Sequence, residues 1–461
     1  MTDISSGHDP IAIVIFWVTL IFFLAIAGRY LAKRCNQPGV LGELLMGVLL
    51  GNLCYFWGSQ LIVVLREGSS VFNIMRDMLG GEALTQAVSN TIPNAAYANE
   101  LTAALSSHQG IEYIKVGYTL DMFSRYGVIF LLFMVGLESS VEELKHTGKE
   151  SVRVALIGVI APVVLGFIAA TYLLPGSSYQ AHLFVAATLS ATSIGITARV
   201  LTELKKLRTR EARTILGAAM LDDVLGLIIL AIVSSIVING QVNMFDVIRV
   251  IFSTIAFFAG VLLLGPWVLR ILVRCARFLD LWEAKLVVAF IFVMLLSWLA
   301  TVAQLASIIG AFAAGMIMND SYFNERENPH PSSTQIKNLV APLEALLAPL
   351  FFMLIGIQVK LESFLDWQVL LMSSGLIVAA IVGKLLSGYG AHRKDDRLLI
   401  GIGMLPRGEV GLVFASIGRT LGVMSDQLFA AVILMVIVTT FLAPPCMKAR
   451  YAARARREQN I

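Results

Sequence analysis

Residues 217–233 read GAAMLDDVLGLIILAIV, an apolar run interrupted by Asp222 and Asp223. A transmembrane α-helix needs about 20 mostly apolar residues, and the apolar sequence around this run is long enough to meet that requirement. A charged side chain inside a bilayer costs about 2.5–3.5 kcal/mol on insertion scales, so an intramembrane acid marks a functional site by default. The stretch therefore predicts both a membrane span and, near its middle, a candidate site.

The composition of the whole chain agrees with a membrane location. Of its 461 residues, 57% are hydrophobic and 14% are charged, whereas an ordinary soluble domain carries roughly 25% charged residues. The net charge of +4 is too small to indicate a nucleic-acid partner, and no GxxxxGK[ST] sequence is present to hold a nucleotide. We expect one all-α polytopic membrane domain over residues 1–461, with lipid as its surroundings and with neither nucleic acid nor nucleotide as a partner.

Long apolar runs predict thirteen transmembrane segments. They lie near 11–32, 38–57, 119–138, 152–174, 181–199, 212–238, 247–272, 284–303, 305–319, 338–360, 366–391, 398–418 and 426–447. Asp3 and Asp9 precede the first segment and basic residues follow it at 29–34, so the positive-inside rule places the N-terminus outside or in a lumen. An odd number of spans then places the basic tail 448–461 in the cytoplasm.

Short patterns recur in the same order in the two halves of the chain. The pairs are GVLGELLMGVLLGN (39–52) with SIIGAFAAGMIMN (307–319), FLLFMVGLES (130–139) with LFFMLIGIQV (350–359), and SIGIT (193–197) with EVGLVF (409–414). We interpret residues 11–238 and 284–447 as two six-helix repeats joined by a linker helix at 247–272. The second copy starts with the opposite membrane orientation, which makes an inverted repeat of the kind found in secondary transporters. The long loop 58–118 is expected to form short interfacial helices.

One acidic and one basic side chain, on separate spans, are predicted to form an ion pair. Asp222 and Lys384 each lie about nine residues from the inner end of their span, which corresponds to roughly 13 Å of depth at 1.5 Å per residue. For Lys384 to place its ammonium group at the membrane surface instead, its side chain would have to span about that depth, and it is too short. Adjacent helical residues differ in direction by about 100°, so Asp223 faces other surroundings than Asp222. We expect Asp223 to exchange a proton for a metal cation.

The twelfth span is interrupted by Pro406 and Gly408 within GIGMLPRGEVGLVFASIG, and Arg407 and Glu409 sit in the interruption. We interpret these two charges as a mutual ion pair in preference to direct ion contact. The equivalent segment of the first repeat is ATLSATSIGITARV. Its Thr192 and Ser193 supply oxygens for a hard cation, although ordinary interhelical hydrogen bonding accounts for them equally well.

With these motifs in order, the chain resembles the Na⁺/H⁺ antiporters of the monovalent cation:proton antiporter-2 family, and most of all the cyanobacterial members. The resemblance implies a homodimer of thirteen-helix protomers. Each protomer would have a core domain at 119–238 and 338–447 with two crossed discontinuous helices, and a dimerisation domain formed by the remaining spans. It also implies that Asp223 binds Na⁺ and H⁺ in turn, that Asp222 pairs with Lys384, and that exchange is electrogenic.

The function expected is therefore secondary Na⁺/H⁺ antiport in sodium and pH homeostasis, and not an enzymatic one. No cofactor is expected, and Li⁺ or K⁺ are possible further cargoes. A K⁺/H⁺ antiporter or a K⁺ efflux system of the same fold is the alternative. An intramembrane aspartyl protease would carry its two acids on separate spans, and a channel would lack alternating access. The membrane is predicted to be the bacterial inner (plasma) membrane, or the thylakoid membrane for a cyanobacterial protein.

Overall fold

The computed structural model describes residues 12–35, 37–68, 70–92, 95–138, 148–193, 196–197, 200–201, 204–206, 209–239, 244–303, 305–326 and 335–459. Within these ranges the protein is helical and contains no strand. The α-helices α1 to α18 are Ala12–Arg34, Gly39–Phe56, Gln60–Glu67, Ser70–Leu79, Leu84–Thr91, Ala95–Ser106, Gly110–Glu138, Lys149–Leu173, Tyr179–Ser190, Arg210–Asn239, Met244–Cys275, Leu281–Val302, Ser307–Ile317, Ile336–Ile357, Trp367–Ser387, Arg397–Gly403, Gly408–Thr420 and Asp426–Gln459. Short 3-10 helices cover Ala276–Phe278, Asp320–Arg326, Leu361–Leu365 and Gly388–Gly390.

Each of the thirteen predicted spans coincides with a helix or with a pair of helix halves. Among the described residues, ten helices are long and apolar enough to cross a membrane. The other three predicted spans correspond to α13, to α9 with the residues that follow it, and to α16 with α17. The all-α polytopic fold and the two interrupted helices are thus confirmed.

Two helices extend furthest beyond their predicted limits. α7 begins at Gly110, ahead of the predicted 119, and α18 continues past 447. The extra turns of α18 are polar, and they are held by ion pairs. Arg450 Nε lies 2.8 Å from Asp396 Oδ2, and Arg454 Nη1 lies 2.5 Å from Glu211 Oε1. An apolar pattern detects only the part of a helix that hydrocarbon covers, so these ends escaped prediction.

The region 58–118 contains the four short helices α3 to α6, as predicted. Every residue of α3 from Leu61 to Glu67 is buried, including the charged pair Arg66 and Glu67. The apolar residues of α3 face two clusters. One includes Ile21 and Leu120, and the other is formed with α4, α5 and α6. No sequence pattern predicted the burial of these charges.

Equivalent glycines of the two repeats make equivalent close contacts. A Cβ atom built on Gly356 of α14 would stand 2.8 Å from Gly47 Cα of α2. A Cβ built on Gly136 of α7 would stand 3.0 Å from Gly315 Cα of α13. Each Cβ would lie closer still to a carbonyl oxygen, that of Leu44 for Gly356 and that of Phe312 for Gly136, and real Cβ contacts are almost never that short. Only hydrogen therefore fits at these positions. The second helix of each repeat therefore packs on the third helix of the other repeat, which explains the conserved spacing of the repeated patterns.

Internal contacts divide the chain into two compact units. One comprises Met1–Gly127 and Leu346–Leu365, and the other comprises Val128–Ala345 and Asp366–Ile461. Within the first, α1 packs on α2 and α3 packs on α6. Within the second, α8 packs along α15, α9 and α10. The division into a core domain and a dimerisation domain concerns how helices move together, and it stays a prediction.

Candidate functional site

Two helix interruptions meet in the second unit. Residues 191–193 follow the end of α9 without helical structure, and residues 404–407 separate α16 from α17. The Ser193 N–H donates to the Pro406 carbonyl at 2.7 Å. Proline has no N–H to continue a helix, and free backbone groups inside a membrane need protein partners. The contact between the two breaks supplies such partners, so the discontinuous helices stabilise each other.

Threonine hydroxyls add further links across the same crossing. Thr197 Oγ1 donates to the Gly403 carbonyl at 2.7 Å, and Thr192 Oγ1 donates to the Met404 carbonyl at 3.3 Å. The Thr192 side chain also lies within hydrogen-bond reach of the Asp222 carboxylate. Of the two predicted ligating hydroxyl residues, Thr192 therefore touches the acidic pair, whereas Ser193 contributes a backbone bond to the crossing.

Arg407 is completely buried and directs its guanidinium at backbone carbonyls. Nη1 donates to the carbonyls of Leu189 and Ala191, the latter at 2.7 Å, and Nη2 donates to Ala380 O at 3.4 Å. The C-terminal carbonyls of a helix carry partial negative charge, so Arg407 caps the end of α9. The side chain of Glu409 lies outside the described residues, and its predicted pairing with Arg407 stays a prediction.

Asp222 and Lys384 are brought together from α10 and α15. Lys384 Nζ donates to Asp222 Oδ1 at 3.0 Å and to Oδ2 at 3.2 Å, and both side chains are fully buried. Arg407 lies close enough to act on Asp222 electrostatically. Two buried ions of opposite charge offset the cost of leaving water only when their geometry is good, and the two-oxygen contact meets that condition.

Asp223 is the next residue on α10 and is 4% exposed, against 1% for Asp222. The Lys384 ammonium lies within electrostatic range of Asp223 as well as of Asp222. Two acids and two bases, Lys384 and Arg407, therefore share one buried volume. When all four are ionised their charges sum to zero, and any cation or proton that binds here makes the group positive.

Small residues create the space around Lys384. Gly158 of α8 faces it, since a Cβ there would stand 3.8 Å from Lys384 Nζ and 3.2 Å from Ser387 Cβ. One residue before Lys384, Gly383 packs directly on α8, where a Cβ would stand 2.7 Å from Pro162 Cα. These glycines let α15 approach α8 closely and carry the lysine into the interior. Gly383 belongs to the Gly–Lys dipeptide of the family resemblance, whereas no sequence pattern indicated Gly158.

The comparisons with known proteins agree with this arrangement. The family model described as "Sodium/hydrogen exchanger, transmembrane" matches residues 19–449. The chain belongs to the sodium/hydrogen exchanger family. The exchanger is 34% identical to the "High-affinity Na(+)/H(+) antiporter NhaS3" of Synechocystis over 99% of this chain and 94% of that protein. This match confirms the predicted resemblance to a cyanobacterial antiporter.

Two further comparisons bear on the exchanger. It is 29% identical to the "Na(+)/H(+)-K(+) antiporter GerN" of Bacillus cereus over 95% of this chain and 96% of that one. The solved structure of the sodium proton antiporter MjNhaP1 from Methanocaldococcus jannaschii superposes with a TM-score of 0.58 at 18% identity. It covers 96% of the exchanger and 98% of that chain, which shows a shared fold.

The first unit contains a second ionic cluster that no sequence pattern predicted, in which Arg66, Glu67 and Lys360 are buried and Glu362 is exposed. Arg66 Nη2 donates to both Glu362 oxygens at 2.7 and 2.8 Å and to Asn52 Oδ1 at 3.1 Å. Lys360 Nζ donates to Glu67 Oε1 at 2.7 Å. These bonds join α2 and the end of α3 to the segment that follows α14. The only signal in the sequence is the Arg–Glu dipeptide that follows the apolar residues of α3.

Proposed function

We propose that the protein is a secondary antiporter that exchanges Na⁺ for protons at Asp223. The observation that carries this assignment is that Asp222, of the two neighbouring acids, is the one held by Lys384. Both oxygens of Asp222 accept from Lys384, so Asp222 has a fixed structural partner. The neighbouring carboxylate, Asp223, is the one to which we assign ion exchange. Family membership and the similarity to named Na⁺/H⁺ antiporters support the same function.

Exchange follows from competition for one carboxylate. Asp223 cannot hold a proton and a sodium ion at the same oxygens, so binding of either displaces the other. As long as Lys384 keeps its proton, the buried group of two acids and two bases carries a net charge of +1 when Asp223 holds H⁺. The net charge is the same when Asp223 holds Na⁺. That scheme moves no net charge. The electrogenic exchange that the resemblance implies therefore needs a second proton, and Lys384 is the residue to which we assign it.

Oxygen atoms around the crossing form the proposed cation site. Na⁺ is a hard ion, and carboxylate, hydroxyl and carbonyl oxygens suit such ions. Asp223 supplies charge, and Thr192 supplies a hydroxyl beside the acidic pair. Ser193 and the carbonyls freed by the helix breaks complete the set of candidates. The exchange needs no cofactor, because the carboxylate itself carries either ion.

Burial requires a conformational step. Asp223 is 4% exposed, so an ion reaches it only when the surrounding helices open toward one face. We propose that the core domain, residues 119–238 and 338–447, carries the site between the two faces. The remaining spans would form the dimerisation domain of a homodimer and stay fixed. The charge pattern favours an N-terminus outside and a cytoplasmic C-terminus in the bacterial inner or thylakoid membrane.

A second cation deserves a direct test, because the printed name of one relative includes K⁺ as well as Na⁺. In proteoliposomes with an imposed pH gradient, a quenched pH-sensitive dye recovers when an added cation is exchanged for protons. We expect recovery on adding Na⁺ or Li⁺ across a range of pH values, and little on adding K⁺. Recovery with K⁺ alone would make the protein a K⁺/H⁺ antiporter, and recovery with no cation would exclude antiport.

A further inference from the structure

The cytoplasmic end of α11, in the proposed orientation, borders a basic cavity of about 460 Å³. Three arginines, Arg270, Arg274 and Arg277, line it together with Ser321 and Tyr322. Its volume lies within the range of roughly 300–1,000 Å³ typical of small-ligand sites. None of the described residues that line the cavity is acidic. The positive charge of the cavity therefore favours an anionic ligand.

The arginines are arranged to act together. Arg270 and Arg274 are four residues apart on α11, and Arg277 follows three residues later in the 3-10 helix Ala276–Phe278. Side chains at these spacings share one face of a helix. The Arg270 guanidinium also stands over the Tyr322 ring, 6.0 Å from its centroid. Guanidinium groups match phosphate oxygens with paired donors, and the Ser321 and Tyr322 hydroxyls add neutral donors.

Asp320, the acidic residue next to Ser321 in the sequence, already forms an ion pair with a base outside the cavity. Asp320 precedes Ser321, and its Oδ1 lies 3.0 Å from Lys285 Nζ. The same oxygen accepts from the Ile336 N–H at 3.2 Å. Lys285 is 2% exposed and Asp320 is 38% exposed in this pair. Asp320 therefore anchors the segment that carries Tyr322, and it does not line the arginine cavity.

An apolar surface continues from the cavity along the same helix. One to two turns before Arg270, the side chains of Trp267, Leu264 and Leu263 are 62%, 64% and 78% exposed. Hydrocarbon is the medium that such a face of a membrane helix contacts, and tryptophan is enriched where hydrocarbon meets head groups. An occupant with an anionic head and apolar chains fits both surfaces at once, whereas free phosphate uses only the arginines.

We propose that this cavity binds the phosphate head group of an anionic phospholipid, whose acyl chains lie along Leu263, Leu264 and Trp267. Basic pockets at the cytoplasmic ends of transmembrane helices bind such head groups in other proteins. The lipid would hold the linker helix α11 to the 3-10 segment Asp320–Arg326. The site is separate from the acidic pair, so this proposal does not depend on the proposed function.

The test compares purified protein in detergent with a variant that combines Arg270→Gln, Arg274→Gln and Arg277→Gln. Its matched control combines Lys206→Gln, Arg393→Gln and Lys394→Gln, which removes the same charge from other exposed positions. Melting temperature and native mass spectrometry are measured with added phosphatidylglycerol, phosphatidylcholine or inorganic phosphate. A ligand that binds only the folded protein raises its melting temperature with concentration.

We expect phosphatidylglycerol to stabilise the wild type and the control variant equally. At about a fivefold loss per arginine near a membrane surface, the triple arginine variant should bind roughly a hundredfold more weakly. Phosphatidylcholine and inorganic phosphate should have little effect. Equal stabilisation of the arginine variant, equal binding of phosphatidylcholine, or full stabilisation by inorganic phosphate would each overturn the proposal. Native mass spectrometry decides the matter even where the arginine variant is less stable.

Discussion

Lys384 of α15 donates to both carboxylate oxygens of Asp222 on α10, at 3.0 and 3.2 Å, in a fully buried ion pair. The two residues are 162 positions apart in the chain. The pair joins two long helices beside the crossing of the interrupted ones. Asp223, the neighbouring acid, is the residue to which we assign ion exchange as a proposal.

Replacing the proposed carrier should abolish exchange without unfolding the protein. In Asp223→Asn the side chain keeps its shape but can no longer alternate between a charged and a protonated form. We expect Na⁺-dependent recovery of the pH dye in proteoliposomes to disappear, with a melting temperature close to that of wild type. Asp121→Asn, at a partly exposed acid that pairs with Arg125, is the matched control and should transport normally. Exchange at the wild-type rate by Asp223→Asn would remove the carrier assignment.

Breaking the buried pair should cost stability in a way that its second partner reverses. Removing one member of a buried ion pair leaves an uncompensated charge and costs about 3–5 kcal/mol. Lys384→Ala should therefore lower the melting temperature, and Asp222→Asn added to it should restore most of the loss. The measurement is a double-mutant cycle on purified protein. Additive losses, or unchanged stability and transport in Lys384→Ala, would contradict a role for the pair.

The net charge that crosses the membrane in each transport cycle should depend on Lys384. If this lysine supplies the second proton of an electrogenic cycle, Lys384→Gln should make any remaining exchange insensitive to membrane voltage. Wild-type transport in proteoliposomes should change with a K⁺ diffusion potential set by valinomycin. A wild type that ignores the potential would show electroneutral exchange and assign Lys384 a structural role only.

The glycine contacts between the repeats should tolerate no side chain. A Cβ on Gly315 would overlap the Phe133 carbonyl of α7, so Gly315→Ala should destabilise the protein by about 1–3 kcal/mol, the usual cost of overpacking. Gly356→Ala should behave alike, because it meets the equivalent helix of the other repeat. Gly176→Ala is the control, since no atom lies within 4 Å of its Cβ position. Equal melting temperatures for all three variants would argue against the repeat packing.

Lowering the pH should weaken the ion pair between Arg450 of α18 and Asp396. Partial burial raises the pKa of Asp396, but the hydrogen bonds from Arg450 and the Leu399 N–H, with the charge of Arg450, outweigh it and hold the pKa below its ordinary value of 3.8. A carboxyl with a lowered folded-state pKa stabilises the fold above its unfolded pKa, and this stability is lost as the pH falls through the folded value.

Arg450→Gln tests this contact. The variant should be less stable than wild type by about 1 kcal/mol at neutral pH. The difference in melting temperature should shrink as the pH drops below about 4. Arg393→Gln, at an exposed neighbouring position, should show no such difference. A difference between Arg450→Gln and wild type that does not vary with pH would mean that Asp396 is not the partner that matters.

The sequence predicted well what depends on local composition and length. Each predicted apolar run coincides with a helix or a pair of helix halves in the described residues, because the bilayer thickness fixes how many apolar residues a helix needs. Pro406 located the break between α16 and α17, because proline lacks the N–H that a helix requires. Equal distances from the inner ends of their spans identified Lys384 as the partner for Asp222, since depth in a membrane can be counted along a helix.

Contacts between distant segments could not be read from the chain in the same way. Arg407 donates to carbonyls of Leu189 and Ala191, more than two hundred residues earlier, and no local pattern indicates these bonds. Arg66 and Glu67 bond to Glu362 and Lys360, which follow α14. Local sequence therefore determined the spans, the breaks and the depth of the acids. Only tertiary structure decided which charges and carbonyls meet, because side-chain reach is a few ångströms and helix packing alone sets which residues come that close.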